Sequence, residues 1–179
     1  MANFQEEIIN WYLINKRDLP WRNTQDPYKI WLSEIILQQT RVQQGLPYYL
    51  KFLNAFPTIN DFAQASEQEV LSLWQGLGYY SRARNLHATA KYIAFELNGK
   101  FPSNYKELLK LKGVGEYSAA AIASFSYNEP VAVLDGNVFR VLSRYFNLDS
   151  DISLPKTKTE FQQLAQEVLN KNNPALFNQ

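Results

Sequence analysis

Glu34 is a carboxylate in the most apolar helical stretch of the chain, IWLSEIILQQT. Residues three and four positions apart share a helix face, so Glu34 lies beside Ile30, Trp31 and Leu37, and Gln38 is its one polar neighbour. A charge in this setting is costly unless it is paired, or unless the carboxyl keeps its proton. Acid–base chemistry is therefore one interpretation, and a buried acid satisfied by a backbone or tyrosine partner is the other.

Asp135 is a second carboxylate in an unusual position, in AVLDGNVFRVLSR. Aspartate is a preferred N-cap, so capping a helix is the structural interpretation. Four apolar residues precede Asp135, and Gly136 follows it and leaves room for a ligand, while Asn137 adds an amide near the same point. A carboxylate here can serve as a cap and as an electrostatic group at once.

Two glycines separate the helical stretches NYKELLKL and EYSAAAIASF in LKGVGEYSAAAIASF. A helix N-terminus offers free backbone N–H groups and a positive dipole end, which suits a phosphate. Because glycine has no side chain, a DNA backbone could approach Gly113, Val114 and Gly115 closely. The segment predicts a helix-hairpin-helix motif, with an ordinary tight turn between two helices as the alternative.

The segment GLGYYSRARNLH places tyrosines beside Arg82 and Arg84. Aromatic rings near guanidinium groups suit stacking on bases and pairing with phosphates. A helix start with a buried tyrosine and two solvated arginines is the alternative, and the segment alone favours it. His87, the only histidine, lies on the same helix, where a packing or phosphate role is favoured over catalysis.

The elements that must position these residues are predicted to be helices almost throughout. An apolar stripe that includes Phe4 and Ile8 marks the first helix, and Asp26 with Pro27 opens the helix that carries Glu34 and continues to about Gln43. Further helices are predicted over 46–55, 67–74, 79–97, 104–111, 116–126, 137–147 and 157–171. One short apolar run at 131–134 does not make a sheet, so the predicted fold class is all-α.

Composition restricts the classes of function. The 179 residues carry 18 basic and 17 acidic side chains, so any nucleic-acid binding must depend on local patches rather than on net charge. No apolar run approaches the roughly 20 residues that span a bilayer, and the acidic start does not fit a signal peptide. Cysteine is absent, which excludes disulfides and thiolate metal sites within these residues. A cytoplasmic location is the default expectation.

Four segments, PYKIWLSEIILQQTRV, GLGYYSRARNLH, LKGVGEYSAAAI and LDGNVFRVLSR, together resemble the helix-hairpin-helix base-excision DNA glycosylases. Within that superfamily they are most similar to the adenine DNA glycosylases, the MutY group. The resemblance covers essentially the whole chain, with the motifs in order and at compatible spacing. It implies two all-α lobes: six helices over about 26–129, with the helix-hairpin-helix at about 104–126, and a second lobe formed by 1–25 and 130–179.

The resemblance also implies a cofactor for the full-length family member. In the family, the second lobe continues to four cysteines that hold a [4Fe–4S] cluster, and then to a domain that helps to recognise 8-oxoguanine. These ligands are absent from the present sequence, and NPALFNQ carries no stop signal for a helix. We therefore expect the sequence to be cut before that segment, with the second lobe incomplete at its C-terminus and no metal ligand in this chain.

The activity that the resemblance implies is hydrolysis of the N-glycosidic bond of adenine mispaired with 8-oxoguanine or guanine in double-stranded DNA. Glu34 matches the family's catalytic acid and would protonate N7 of the flipped base. Asp135 matches the carboxylate that stabilises the oxocarbenium-like sugar, assisted by Tyr117 and Asn137. In lyase-competent relatives such as endonuclease III a lysine occupies the position of Tyr117, so we expect weak lyase activity or none.

Binding residues follow from the same resemblance. The adenine pocket would be lined by Arg17, Leu19, Trp21, Arg22 and Gln179. Contacts to DNA would come from Gln39, Thr40, Tyr79, Arg82, Arg84, His87, Gly113, Val114 and Gly115. Among these, Gln39 and Tyr79 would enter the duplex near the flipped base. The expected protein is a monomer without membrane contact, in a bacterial-type cytoplasm and associated with the nucleoid.

Two alternatives remain open from the sequence. A related glycosylase that removes thymine or uracil from mismatches with guanine can also carry a tyrosine at position 117, although LQQT and RDLPWR favour adenine. A DNA-binding fragment without catalytic activity is the second alternative. Excision assays on defined mispairs distinguish the first, and substitution of Glu34 and Asp135 distinguishes the second.

Overall fold

The chain is a series of helices joined by short loops, and the computed structural model describes residues 2–151 and 154–179. Within these ranges there is no strand, and the predicted all-α class is confirmed. The helices are α1 (Ala2–Asn15), α2 (Pro27–Ile36), α3 (Val42–Ala55), α4 (Ile59–Gln64), α5 (Glu67–Trp74), α6 (Tyr80–Lys91), α7 (Tyr105–Leu108), α8 (Glu116–Tyr127), α9 (Gly136–Tyr145), α10 (Pro155–Val168) and α11 (Pro174–Asn178). A 3-10 turn at Pro20–Arg22 and a π-helical segment at Tyr92–Glu96 complete the order. In the described ranges, none of these helices combines the length and apolar character that crossing a bilayer requires.

Capping residues explain where several helices begin. Asp26 caps α2 by accepting a hydrogen bond from the Tyr28 backbone N–H at 3.0 Å, and Pro27 occupies the first helical position, as predicted. Thr58 and Asp61 form a capping box at the start of α4. Each such cap stabilises its helix by about 1 kcal/mol. The start of the helix that carries Glu34 is therefore fixed locally.

The prediction of one continuous helix from Pro27 to about Gln43 is wrong, because α2 ends at Ile36 and α3 begins at Val42. The chain turns sharply between them, and Gln39 has a φ of 54°, which a helix does not tolerate. The carbonyl groups at the end of α2 are bound by the Arg82 side chain. A tertiary contact thus overrides the local helical pattern.

Other helix boundaries also differ from the predictions. Helix α4 was not predicted, although its capping box is visible in the sequence. The helix predicted over 104–111 is a single turn, α7, followed by turns that lead into the glycine hairpin. The helix predicted over 79–97 is α6 followed by the π-helical segment. The run 131–134 has no regular secondary structure and pairs with no strand in the described part of the chain.

Apolar side chains form a large cluster centred on α2 to α8. Its fully buried aromatic residues include Trp31, Phe52 and Trp74, with 5.9 Å between the ring centroids of Phe52 and Trp74. Each large apolar side chain buried in this way contributes roughly 1.5–3 kcal/mol. Leu19 and Trp21, which the sequence analysis placed in the second lobe, pack in this cluster. The RDLPWR loop is therefore anchored against the helix that carries Glu34.

A small cluster joins the two ends of the chain. Phe4 of α1 packs with Leu142 of α9, Phe161 of α10 and Phe177 of α11. Ala120 and Ala121 of α8 contact Val133, which leads into α9. Because alanine side chains are short, α8 lies close both to α2 and to this connecting segment. Helix α8 thus brings the segment of Asp135 towards the segment of Glu34.

The glycine hairpin gives a test of packing at the helix-hairpin-helix. Gly113 has a φ of +81°, and a Cβ added there would lie 2.9 Å from the Asn85 Cβ. Gly78 has a φ of +71° but open space around it, and Gly136 has open space without a positive φ. We expect alanine to lower the free energy of unfolding by about 1 kcal/mol at Gly78 and by about 2–3 kcal/mol at Gly113, with little change at Gly136.

Urea unfolding followed by circular dichroism measures these three differences on one scale. Equal losses at Gly113 and Gly78 would show that Asn85 moves aside without cost, and would contradict the close packing of the hairpin.

Candidate active site

The candidate active site is a cavity of about 330 Å³, lined in part by Leu19, Trp21 and Ile30 of the large cluster. It is bordered by the RDLPWR loop, α2, the start of α8, the segment before α9 and the last residues of α11. Its lining consists of Arg17, Leu19, Trp21, Arg22, Ile30, Ser33, Glu34, Leu37, Gln38, Gln39, Val42, Tyr117, Phe125, Asp135, Asn178 and Gln179. A larger open groove along α10, of about 660 Å³, contains Glu116 and Lys158, but these two charges pair with each other at 2.6 Å.

Glu34 faces the cavity from the third turn of α2 and remains partly accessible there. Its helical neighbours Ile30 and Trp31 are buried, so the carboxyl is largely surrounded by apolar groups. Burial raises the pKa of Glu34 from 4.5 to about 7, the nearby charge of Arg22 lowers it, and the charge of Asp135 raises it. A substantial fraction of Glu34 therefore carries a proton at neutral pH, as its sequence setting suggested.

Asp135 reaches the same cavity from the N-cap of α9. Its Oδ1 accepts hydrogen bonds from the backbone N–H groups of Asn137 at 2.9 Å and Val138 at 2.8 Å, and its Oδ2 accepts one from the Asn137 side-chain amide at 2.8 Å. These three hydrogen bonds fix the Asp135 carboxylate at the N-terminus of α9, at the positive end of the helix dipole. The cavity thus holds two carboxyl groups in different environments, Asp135 among hydrogen-bond donors and Glu34 among apolar side chains.

Tyr117 and Arg22 complete the charged centre of the cavity. The charge of Glu34 is the main cause that raises the pKa of the Tyr117 phenol, followed by burial and then by the charge of Asp135. The phenol is accordingly a hydrogen-bond donor at neutral pH. Asn137 does not line this cavity; it borders the adjoining cavity of about 280 Å³ and is hydrogen-bonded to Asp135 and Arg140.

All five residues predicted for the base pocket lie on the cavity wall: Arg17, Leu19, Trp21, Arg22 and Gln179. Leu19 and Trp21 are buried and provide apolar surface, while the arginines and Gln179 provide polar groups. The Tyr12 hydroxyl donates a hydrogen bond of 2.6 Å to Oε1 of Gln179. This bond fixes the amide at the edge of the cavity.

The two residues predicted to enter the duplex, Gln39 and Tyr79, are exposed. Gln39 is exposed and lines the cavity, and Tyr79 exposes 67% of its surface next to the start of α6. Thr40 is half-buried, and its hydroxyl donates to the carbonyl oxygen of Gln38 at 3.2 Å. Gly113 and Gly115 are exposed in the hairpin, and the Val114 side chain is buried beneath it. Gln39, Tyr79 and the hairpin glycines are accessible to a duplex.

Three other predicted DNA contacts have partners within the protein. The Arg82 guanidinium donates to backbone carbonyl groups of Ile35, Ile36, Gln38, Leu77 and Gly78. His87 is buried, with its Nε2 2.9 Å from the carbonyl oxygen of Ala65. Arg84 is exposed and pairs with Glu67 at 3.2 Å. These positions give Arg82 and His87 structural contacts, and they leave Arg84 available at the surface.

Several residues of the cavity were not found by the sequence analysis. Asn178 donates to the Ser124 hydroxyl at 2.8 Å and to the Val131 carbonyl oxygen at 2.9 Å, which holds the end of the chain against α8. Gln38 donates to the Ser118 hydroxyl at 3.3 Å. These bonds join segments 47 to 80 positions apart in sequence, so no local spacing could have predicted them.

The raised pKa of Glu34 makes the stability of the protein dependent on pH. Between the ordinary value of 4.5 and the folded value of about 7, the folded protein binds more protons than the unfolded protein. The free energy of unfolding therefore falls as pH rises through this window, by up to about 3 kcal/mol from this group. We expect Glu34→Gln to remove that slope and to be more stable than the native protein at pH 8.

Urea unfolding at pH 5 and pH 8 measures the slope, and Glu6→Gln, an exposed position on α1, should keep it. An unchanged slope in Glu34→Gln would contradict the raised pKa.

A known protein family matches the part of the chain that carries both carboxylates of this cavity. The model of the HhH-GPD superfamily base excision DNA repair proteins matches residues 32–171. The chain belongs to this superfamily. The matched region contains the second half of α2 with Glu34, the glycine hairpin, and the segment of Asp135, so both carboxylates of the cavity lie within it.

Curated relatives of this HhH-GPD chain include adenine DNA glycosylases from bacteria and animals. It is 46% identical over 147 residues to the enzyme of Buchnera aphidicola subsp. Baizongia pistaciae, covering 82% of this chain and 42% of the relative. It is 40% identical over 185 residues to the Homo sapiens enzyme, covering 98% of this chain and 34% of the relative. The chain therefore spans half or less of the length of these relatives.

Solved structures share the fold. A thermostable thymine-DNA glycosylase superposes with a TM-score of 0.89 at 29% identity, covering 99% of this chain and 82% of that chain. Endonuclease III in a non-covalent DNA complex superposes with a TM-score of 0.80 at 18% identity, covering 99% and 80%. The second similarity concerns the fold alone. Both agree with the all-α architecture described above.

The [4Fe–4S] cluster implied by the resemblance does not fit the residues of this chain. Such clusters are held by cysteine thiolates, and the 179 residues contain no cysteine. Over residues 2–151 and 154–179, no group of three or more histidine, cysteine, aspartate or glutamate side chains could hold a metal ion.

Proposed function

We propose that this chain excises adenine mispaired with 8-oxoguanine or guanine in double-stranded DNA by hydrolysing the N-glycosidic bond. One observation carries the proposal: Glu34, a carboxylic acid with a pKa of about 7, and Asp135, a capped carboxylate, line the same cavity. Environments that separate the protonation states of two carboxyl groups are used to divide acid and charge-stabilising roles. The cavity, of about 330 Å³, has the size of a site for one small molecule.

Excision begins when the adenine leaves the base stack and enters the cavity. Glu34 transfers its proton to N7 of the base, and the electrons of the bond between N9 and C1′ move onto the protonated base as it departs. The sugar becomes an oxocarbenium-like cation, which the negative charge of Asp135 stabilises. Water then adds its hydroxyl to C1′, and its proton returns to the Glu34 carboxylate.

The cavity wall offers complementary groups for a purine. Leu19 and Trp21 give an apolar surface, and Arg17, Arg22 and Gln179 give hydrogen-bonding groups near its edge. Outside the cavity, we propose that Gln39 and Tyr79 enter the duplex and that Gly113 and Gly115 approach a phosphate through their backbone. The proposed substrate is chromosomal DNA in a bacterial-type cytoplasm, bound by a monomer associated with the nucleoid.

Excision from defined duplexes tests the proposal. Three duplexes carry adenine opposite 8-oxoguanine, thymine opposite guanine, or uracil opposite guanine, and alkaline cleavage reports the abasic product. We expect excision of adenine alone. Removal of a pyrimidine without removal of adenine would contradict the proposed substrate.

A thymine or uracil mismatch glycosylase is the second candidate, and one observation supports it. The thermostable thymine-DNA glycosylase superposes with a TM-score of 0.89 at 29% identity over nearly the whole chain. The identity to adenine DNA glycosylases is higher, at 40% over 98% of this chain for the human relative. This difference favours adenine, and the same three duplexes separate the two candidates.

A DNA-binding segment without catalytic activity is the third possibility, because the chain spans half or less of the relatives' length. Gel-shift titration with the adenine duplex, together with the excision assay, distinguishes it. Binding without excision by the native sequence would favour this third possibility.

Excision should proceed without strand cleavage, because strand cleavage by a lyase requires an amine that forms a Schiff base with C1′. The lining of the cavity contains no lysine among the described residues, and Tyr117 presents a phenol instead. We expect treatment with sodium borohydride during turnover to trap no covalent protein–DNA product. Tyr117→Lys places an amine there and should yield a trapped product. This variant is therefore the positive control of the assay.

A trapped product with the native sequence would contradict the assignment and would require a lysine outside the cavity lining. Lys158, which borders an adjoining cavity that also contacts Tyr117, would be the first residue to replace in that case.

A further inference from the structure

Two exposed residues hold a backbone conformation that their residue types disfavour. In the described part of the chain, five non-glycine residues have positive φ, and three of them are the asparagines Asn98, Asn128 and Asn147. Asparagine tolerates this region, whereas the other two residues are Gln39, with a φ of 54°, and Tyr79, with a φ of 46°. Such conformations persist only where surrounding contacts hold them.

The Arg82 guanidinium contacts both turns at once. Its Nη1 donates to the carbonyl oxygen of Gln38 at 2.5 Å, and its Nη2 donates to that of Gly78 at 3.4 Å. Gln38 and Gly78 directly precede Gln39 and Tyr79 in sequence. Because the peptide bond is planar, a hydrogen bond that holds a carbonyl oxygen also fixes the orientation of the peptide group that joins this residue to the next one. One side chain therefore holds the peptide planes before both left-handed residues.

The position of Arg82 is itself held by aromatic packing. Its guanidinium lies 5.1 Å from the ring centre of Trp74 and 5.7 Å from that of Tyr79. The Trp74 indole N–H donates to the same Gly78 carbonyl oxygen at 2.9 Å. The contact with the Tyr79 ring also orients the side chain that projects from the surface. Arg82 is thus committed to contacts within the protein.

We propose that Arg82 is a positioning residue that sets Gln39 and Tyr79 in their projecting conformations before DNA binds. This inference rests on the proposed function, in which Gln39 and Tyr79 enter the duplex beside the flipped base. Because one guanidinium already holds both residues, the two turns do not have to become ordered when DNA binds, and the entropy cost of binding is lower. The role differs from a phosphate contact, because Nη1 and Nη2, the two nitrogens at the end of the guanidinium, already donate to backbone carbonyl oxygens.

Arg82→Lys is the variant that tests this role. Lysine keeps the positive charge, but one ammonium group cannot hold two peptide carbonyls through the separated nitrogens of a planar fork. The matched control is Arg144→Lys, at an exposed position on α9 outside the proposed DNA contacts. Circular dichroism establishes that both variants are folded.

Base unstacking is the first readout, measured with 2-aminopurine in place of the mispaired adenine. At saturating protein, we expect the fluorescence rise of Arg82→Lys to be about tenfold lower than that of the native protein, because the inserting residues are no longer preset. The dissociation constant for the duplex should change by a smaller factor than the fluorescence rise does. An equal fluorescence rise in Arg82→Lys and Arg144→Lys would overturn the proposal.

Single-turnover excision is the second readout. Arg82→Lys should be about tenfold slower on the fully paired duplex, but close to the native rate on a duplex whose adenine is already unpaired in a bulge. A general structural defect would lower both rates equally and would overturn the proposal. Combining Arg82→Lys with Tyr79→Ala should add little to the loss caused by Tyr79→Ala, because the two side chains act together.

These readouts also separate the proposal from the function on which it rests. If the native protein excises no base, the proposed function fails, while the 2-aminopurine measurement still decides the role of Arg82. If Arg82→Lys does not fold, NMR of the native protein decides it. Slowly exchanging Arg82 Nη protons without DNA are expected, and their appearance only after DNA is added would contradict presetting.

Discussion

Glu34→Gln should lower the rate constant for excision of adenine on the order of 10²–10⁴-fold while keeping its affinity for DNA. Glutamine has nearly the same shape as a protonated glutamate, but it cannot release a proton to the base. The single-turnover rate constant on the duplex with adenine opposite 8-oxoguanine measures the loss. A gel-shift titration with the same duplex measures the affinity.

The pH dependence of the native rate provides an independent check of the same group. Because only the protonated acid can donate, the rate should fall about tenfold per pH unit above the Glu34 pKa of about 7. Glu6→Gln should behave as the native protein at every pH. Native-like excision by Glu34→Gln would show that the proton comes from another group.

Asp135→Asn should reduce excision by about 10²–10³-fold with little effect on stability. Asparagine is as good an N-cap as aspartate, and its side-chain oxygen can still accept from the backbone N–H of Val138. The substitution therefore removes the negative charge beside the developing cation and leaves the start of α9 intact. Single-turnover excision and urea unfolding measure the two effects separately.

Asp26→Asn is the matched control, because Asp26 caps α2 in the same way, through the backbone N–H of Tyr28 at 3.0 Å. It should leave excision unchanged. Equal losses of excision in Asp26→Asn and Asp135→Asn would indicate that capping, rather than charge, explains the importance of Asp135.

Much of the fold could be predicted from local signals. Asp26 and Pro27 marked the start of α2, and Asp135 marked the start of α9, because a cap acts within one helical turn. The capping box of Thr58 and Asp61 is an equally local signal for the start of α4, a helix absent from the predictions. The neighbours of Glu34 on one helix face also indicate its apolar setting, and burial is the main cause of its raised pKa. The sequence alone left a protonated acid and a paired buried acid as alternatives.

What could not be predicted depends on contacts between distant segments. The end of α2 is set by Arg82, which lies 44 to 47 positions along the chain from the carbonyl groups it binds. The resemblance predicts a DNA contact for Arg82, whereas the segment alone favours a solvated arginine, and neither indicates its contacts with these carbonyl groups. The roles of Tyr12 and Asn178 at the cavity edge likewise depend on tertiary hydrogen bonds.

The small cluster has a consequence for how the protein matures during synthesis. The large cluster can form once the residues up to about 131 have left the ribosome, because its members all precede that point. Phe4, although made first, must wait for Phe161 and Phe177 before its own cluster can close. Residues 174–179 then supply Asn178 and Gln179 to the cavity wall. During synthesis, the helix of Glu34 could therefore fold well before residues 174–179 complete the wall of the cavity.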